Sequence, residues 1–303
     1  MKLIVAVFLA IIVISAPSTS NAKGANSQVG DWSLGINVGM GKRSAFVLGQ
    51  DDLNFYVLPD VYYYGEKLFF DNGTLGYTLN EKYDLALSVI TELHPYGFYF
   101  DQSAFGEQFN QLYIVSEKKG DTPLISEEIS NSADLEAERE APLFSGDNND
   151  AHAESIAELH RPSLSLDAGL QVNWFMDKQS VVLKLMSDIS GQDIGSRARL
   201  TWNKGIKLND FGIKFGLGVD WLDEVTTNYF FAVDTPQVNS SLENKLSSSV
   251  NPFGSVTLHY PLTQHLNFIL HAKYLSLDSS ITKSSIIDKN YSLTQFIGLN
   301  YRF

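Results

Sequence analysis

The chain has 303 residues, of which 44% are apolar and 19% charged, with Lys+Arg 22 against Asp+Glu 35 for a formal net charge of -13. This apolar fraction fits neither a disordered chain nor a bundle of membrane helices. The absence of cysteine removes disulfides, thiolate metal sites and cysteine nucleophiles, and the acidic balance argues against a nucleic-acid partner. The 14 Tyr, 19 Phe and 22 Gly, spread through apolar stretches, are unusual for a soluble acidic protein.

Residues 1–22 read as a secretory signal peptide. Lys2 supplies the positive start and Leu3–Ile14 a 12-residue apolar run, and Ser20-Asn21-Ala22 supplies the cleavage pattern. That run is too short for a membrane-crossing helix, which needs about 20 residues. Without a cysteine at Lys23 the exported chain, residues 23–303, cannot be a lipoprotein.

From there the recurring signal is alternation with period two, which in a strand means two faces in unlike surroundings. Trp32, Leu34, Ile36, Val38 and Met40 alternate with Ser33, Gly35, Asn37 and Gly39. Spans follow near 53–63, 67–71, 74–79 and 83–93, the middle two split by Asp71-Asn72-Gly73, a strong hairpin signal. After a long connection, 95–162, further spans fall near 163–174, 179–188, 196–204, 210–222, 251–260, 265–275 and 292–303. Tight periplasmic turns are expected at 176–179, 205–209 and 261–264, with 223–250 and 276–291 external. Many spans approach the 9–11 or so residues of a tilted transmembrane strand. Their apolar faces lack charge, whereas Lys184, Arg197, Arg199, Lys214, Asp220, Lys273 and Arg302 share the other face, as does His271. Aromatics gather at span ends, where a barrel keeps its interfacial girdles.

The predicted fold is an all-β, transmembrane, antiparallel up-and-down barrel in the bacterial outer membrane. Twelve strands satisfy the parity of the connections, with ten and fourteen as alternatives. The polar residues named above are candidates for the lumen, and outer-membrane lipid and lipopolysaccharide are the surroundings expected outside.

The connection 95–162 holds 14 Asp and Glu against Lys118, Lys119, Arg139 and Arg161 and reads as an acidic external loop. Its aromatic part, including Tyr96, Phe98, Tyr99, Phe100, Phe105, Phe109 and Tyr113, is expected to pack over the barrel mouth. No His-Glu-x-x-His, Gly-x-Ser-x-Gly or glycine-rich phosphate loop occurs, so no catalytic, metal or cofactor residue is assigned. His94 beside Glu92, or His271 with Lys273, could be dressed as a rim active site; lumen residues satisfying one another is the plainer reading.

Several stretches carry a family resemblance. Val57-Leu58-Pro59-Asp60-Val61-Tyr62-Tyr63-Tyr64-Gly65, Leu68-Phe69-Phe70, Gly73-Thr74-Leu75-Gly76-Tyr77-Thr78-Leu79, Ala168-Gly169-Leu170 and the closing Gly298-Leu299-Asn300-Tyr301-Arg302-Phe303 together resemble the MipA/OmpV family of outer-membrane proteins. The resemblance implies a non-enzymatic, structural or scaffolding role, in some members bringing a lytic murein transglycosylase together with a bifunctional penicillin-binding protein. A narrow solute channel or an adhesin-like, ligand-binding barrel is the alternative. The acidic 95–162 connection is longer than the family pattern suggests, and Asn228–Val233 follows its aromatic stretch only loosely.

The last span ends on an aromatic, with Ile297, Leu299, Tyr301 and Phe303 alternating. This is the general signal read by the barrel-assembly machinery. Deleting Phe303 is therefore expected to lower outer-membrane insertion markedly, measured as heat-modifiable protein in the membrane fraction; an unchanged folded yield would count against this role.

Overall fold

The computed structural model describes residues 30–100, 162–192, 194–208, 210–232 and 245–303. The expected leader, most of the acidic connection, and Phe105, Phe109 and Tyr113 lie outside these residues. Twelve antiparallel strands form one closed barrel in which each pairs with its sequence neighbours and the first with the last. They are β1 (Asp31–Arg43), β2 (Leu53–Tyr64), β3 (Leu68–Asp71), β4 (Thr74–Lys82), β5 (Leu85–Leu93), β6 (Leu166–Met176), β7 (Gln179–Asp188), β8 (Ser196–Leu208), β9 (Phe211–Leu222), β10 (Ser249–Pro261), β11 (Leu266–Ser276) and β12 (Tyr291–Arg302).

Alternation sets the two faces. Leu34, Val38, Leu85, Val89, Leu170, Leu185, Leu200, Phe215, Leu217, Leu270, Ile297 and Leu299 are exposed on the outside, while their polar neighbours are turned inward. Around a soluble protein such an apolar belt would be an aggregation surface; around a barrel it is the face that meets hydrocarbon. Aromatics frame the belt. Trp32, Trp174, Phe211 and Tyr301 are exposed near the end with short turns, and Trp221 and Tyr274 near the end with long loops.

Closure is made by β1 and β12, paired from Gly35↔Arg302 to Arg43↔Thr294. Gly39 and Gly298 stand opposite each other at this seam. A Cβ on Gly39 would lie 2.2 Å from the Ile297 carbonyl oxygen, and one on Gly298 2.5 Å from that of Val38. The two backbones approach too closely for any side chain, which accounts for part of the glycine excess in apolar stretches.

The short β3 ends in the expected hairpin, with Asn72 at φ 41° and Gly73 at φ 99°, the left-handed pair that a two-residue turn requires. The Asn72 amide N–H donates to the Val61 carbonyl, and Asn72 Oδ1 accepts from the Val61 N–H at 2.9 Å. The turn residue thus pairs the β2 edge in place of a longer strand. Several boundaries differ from expectation, among them the end of β4 at Lys82 and the start of β6 at Leu166. β8 continues to Leu208, with Gly205 inside the ladder opposite Lys214. β5 begins at Leu85, because Tyr83 takes φ 54° in the preceding turn. The 223–250 connection, expected as loop, contains the helix α1 (Glu224–Phe231), capped by Asp223, which accepts from the Thr226 N–H at 2.8 Å.

Candidate functional site

The chemistry-bearing residues converge inside the barrel, beneath a plug at the loop end. Phe46 from the β1–β2 loop, Tyr96 and Phe100 from the start of the long connection, Phe230 and Phe231 from α1, and Ile281 and Ile286 from the β11–β12 loop form one buried apolar cluster. Phe46, Phe230, Phe231 and Ile281 are wholly inaccessible. The pieces are fastened to each other as well as packed. Val47 bridges Ile287, Ser284 Oγ donates to the Phe231 carbonyl at 2.5 Å, and the Arg43 guanidinium lies 4.0 Å from the Tyr99 ring centre. At the rim, Asp52 pairs with Lys42 at 3.0 Å and accepts from the Ala45 N–H at 3.0 Å. Partial burial pushes the Asp52 carboxyl up, but these contacts and Lys289 outweigh it and hold the group below the ordinary aspartate range.

Below the plug, one wall carries an ion-pair network across β4–β9. Glu92 on β5 stands directly opposite Asp167 on β6, and Lys184 on β7 directly opposite Arg199 on β8. Like charges so placed repel, and both pairs are resolved by partners on neighbouring strands. Arg197 donates through Nη2 to Glu92 at 2.6 Å and through Nε to Asp167 at 2.5 Å. Lys184 Nζ and Thr74 Oγ1 donate to the other Glu92 oxygen at 2.5 and 2.9 Å. Arg199 grips Asp220 with two bonds, at 2.5 and 2.9 Å. Bidentate and charge-assisted contacts of this kind are the strong ones, and buried charges persist only when so matched.

The facing wall is more neutral. Asn300 Nδ2 donates to Asn37 Oδ1 at 2.9 Å and to Asp60 at 3.1 Å. Arg302, at the turn-end rim, lies 3.8 Å from Asp60 and is half exposed. Phe55 stacks on Phe296 with ring centres 6.0 Å apart, beside Leu58 and Ile269. His271 Nδ1 and Thr257 Oγ1 are 2.8 Å apart.

Comparison with known proteins follows this geometry. Residues 32–303 match the family described as MltA-interacting protein MipA. The chain belongs to the MipA family. This member is also 24% identical over 184 residues to YiaT of Escherichia coli (strain K12), whose name places it in the outer membrane, covering 59% of this chain and 73% of YiaT. Solved structures share only the general shape of a barrel. A porin refined at 1.8 Å aligns at 8% identity and TM-score 0.35, over 90% of this chain and 99% of its own. The outer membrane protease OmpT from Escherichia coli aligns at 11% identity and TM-score 0.24, over 94% of this chain and 100% of its own. The MipA-family chain is thus a closed twelve-stranded barrel of the outer membrane. In such barrels the long loops face outward and the short turns face the periplasm, so the apolar cluster lies at the outer end of the barrel.

Among the sequence candidates, Lys184, Arg197, Arg199 and Asp220 meet in the ion network, whereas Lys214, His271 and Lys273 lie inward on β9 and β11, Lys273 sharing the Phe253 ring with Arg199. The residues of the C-terminal signal, Ile297, Leu299, Tyr301 and Phe303, are all on the outside, Phe303 being 79% exposed. The sequence named Glu92 only as a neighbour of His94 and did not mark Asp167, the two acids that tie the network together. Both share the parity of inward neighbours (Ala86, Ser88 and Ile90 for Glu92), which was the available signal. His94 does not pair with Glu92. Its Nδ1 accepts from the Tyr96 N–H at 3.3 Å and its ring stacks on Phe230 with centres 4.4 Å apart. Burial and the charges of Arg197 and Arg199 push the His94 imidazole well below its usual range and keep it neutral.

Removing Glu92 would leave Lys184 and Arg197 underbalanced in a buried site. Glu92→Gln is expected to cost about 3–5 kcal/mol of unfolding free energy, read from urea unfolding in lipid vesicles. A loss below about 1 kcal/mol would show that the network does not hold this wall.

Proposed function

We propose that this MipA-family barrel is a non-enzymatic envelope protein with a structural or scaffolding role, inserted by the barrel-assembly machinery and surrounded by lipid and lipopolysaccharide. Its periplasmic turns would present it to murein enzymes, a lytic transglycosylase and a bifunctional penicillin-binding protein. The family description, MltA-interacting protein, supports a partner of the first kind.

The observation that carries this reading is the plug. A solute channel needs a continuous wet path, and the apolar cluster of Phe46, Tyr96, Phe230, Phe231 and Ile281, buried at the loop end, supports a barrel without one. The state of the lumen acids supports a non-catalytic role. Glu92, Asp167 and Asp220 are each engaged in ion pairs with a guanidinium or ammonium group.

In planar bilayers the purified protein is expected to give no steady ohmic steps; reproducible unitary conductance would favour the channel instead. Capture of a lytic transglycosylase by the tagged full-length barrel from detergent extracts is expected. A barrel that retains neither murein enzyme would overturn the scaffold role while leaving the closed lumen intact.

A further inference from the structure

His94 stands where the barrel wall turns into the loop-end cluster. It follows β5 directly, and its N–H donates to the Ser165 carbonyl at 2.9 Å, one rung past the β5–β6 ladder. It also opens the Pro95–Tyr99 turn, which with Phe100 after it brings the rings of Tyr96 and Phe100 into the cluster. The first N–H groups of such a turn have no partner within it. Proline removes one of them, and the next, on Tyr96, is accepted by His94 Nδ1 at 3.3 Å. Hydroxyl, amide or carboxylate oxygens usually make this cap. An imidazole nitrogen differs from them in taking up a proton near neutral pH.

The surroundings oppose that proton. Because Nδ1 accepts, the hydrogen of the neutral ring sits on Nε2, and a proton on Nδ1 would set two N–H donors against each other. His94 is 1% exposed, its ring stacks on Phe230 with centres 4.4 Å apart, and its Nε2 has no hydrogen-bond partner among the described residues. The charges that act on it are Glu92 on β5, which favours a cation, and Arg197 and Arg199 on β8, which oppose one. Glu92 is already bound by Lys184 and Arg197. Phe230 of α1 and Ser165, which precedes β6, are uncharged neighbours. The Tyr96 hydroxyl, pushed well above its usual range by burial, stays neutral. What the cap holds also reaches α1. Tyr96 meets Phe231 edge-on with ring centres 5.6 Å apart, and Phe100 stacks with Phe230 at 6.2 Å.

We propose that His94 is an acid-sensitive latch, whose protonation uncaps the Pro95–Tyr99 turn and loosens it together with α1. In the packed cluster, burial and the two arginines hold the imidazole well below its usual range, whereas in a loosened one it would regain a value of about 6.5. The proton therefore binds the loosened form better. The latch is fully held above about pH 6.5 and weakens as the pH falls below it, by up to about tenfold per pH unit. No docked enzyme enters this device, so it stands or falls separately from the scaffold role.

The test uses the full chain, folded in detergent and verified by heat-modifiable migration. Hydrogen exchange read by mass spectrometry, corrected for the intrinsic effect of pH, compares residues 94–100 and 224–231 at about pH 7.5 and about pH 4.5. In the wild type, protection of both segments is expected to fall about tenfold or more at the acid pH. His94→Asn keeps an acceptor at the cap without a group that titrates here, so its protection should change less than about twofold. His94→Ser follows the same logic and serves if the asparagine variant does not fold. Unchanged protection in the wild type, or the same acid loss in a folded His94→Asn or His94→Ser protein, would overturn the proposal.

Discussion

Hydrocarbon offers no hydrogen bonds, so a sheet surrounded by lipid must leave no edge unpaired. In this protein that constraint is met where the first and last strands pair, in the β1–β12 ladder. Much of the sequence serves that closure. The opposed glycines Gly39 and Gly298 let the seam strands approach closely, and the Asn72 turn completes hydrogen bonding along the β2 edge where β3 is only 4 residues long. Once the sheet is closed, period-two alternation has a single consequence. One set of side chains faces acyl chains and the other is confined to the lumen.

Confinement then dictates the interior. Charged groups on neighbouring strands fall opposite one another by register, whether or not their signs suit. Glu92 facing Asp167 and Lys184 facing Arg199 would each be destabilising alone. Arg197 spans the two acids, and Glu92 and Asp220 answer the two cations, so the charges on β5–β9 become a mutually neutralised lattice. At the loop end the constraint is different. Backbone there leaves the sheet and can be buried only beneath apolar cover, which α1, the turn at Pro95–Tyr99 and the β11–β12 loop supply with aromatic side chains. The result is a barrel filled on one wall by ion pairs and stoppered at its outer mouth.

The fold was largely legible in the sequence because lipid and lumen impose opposite chemistry on adjacent residues, and that contrast survives in a one-dimensional string. Leu266–Ser276 and Tyr291–Arg302 were placed within two residues, and the Asn72-Gly73 hairpin that makes the strand count even carries its own conformational signature. What was not legible depended on register. Which carboxylate answers Arg197 is decided by how β5, β6 and β8 align, and no local pattern in the chain encodes that alignment. Helix α1 was hidden for a related reason: Phe230 and Phe231 read as loop aromatics until the surrounding loops give them something to pack against, although Asp223 was a visible cap. The Pro95–Tyr99 turn was better marked, since the aromatic density of Tyr96, Phe98 and Phe100 already favoured burial over the mouth.

The two-faced wall can be examined directly because the chain contains no cysteine. Single cysteines placed at Phe215 and Lys214, adjacent on β9, can each carry a bimane fluorophore in vesicles containing brominated lipid. Strong quenching at Phe215 with little at Lys214 is the result the account requires. Equal quenching at the two positions, or stronger quenching at Lys214, would contradict it.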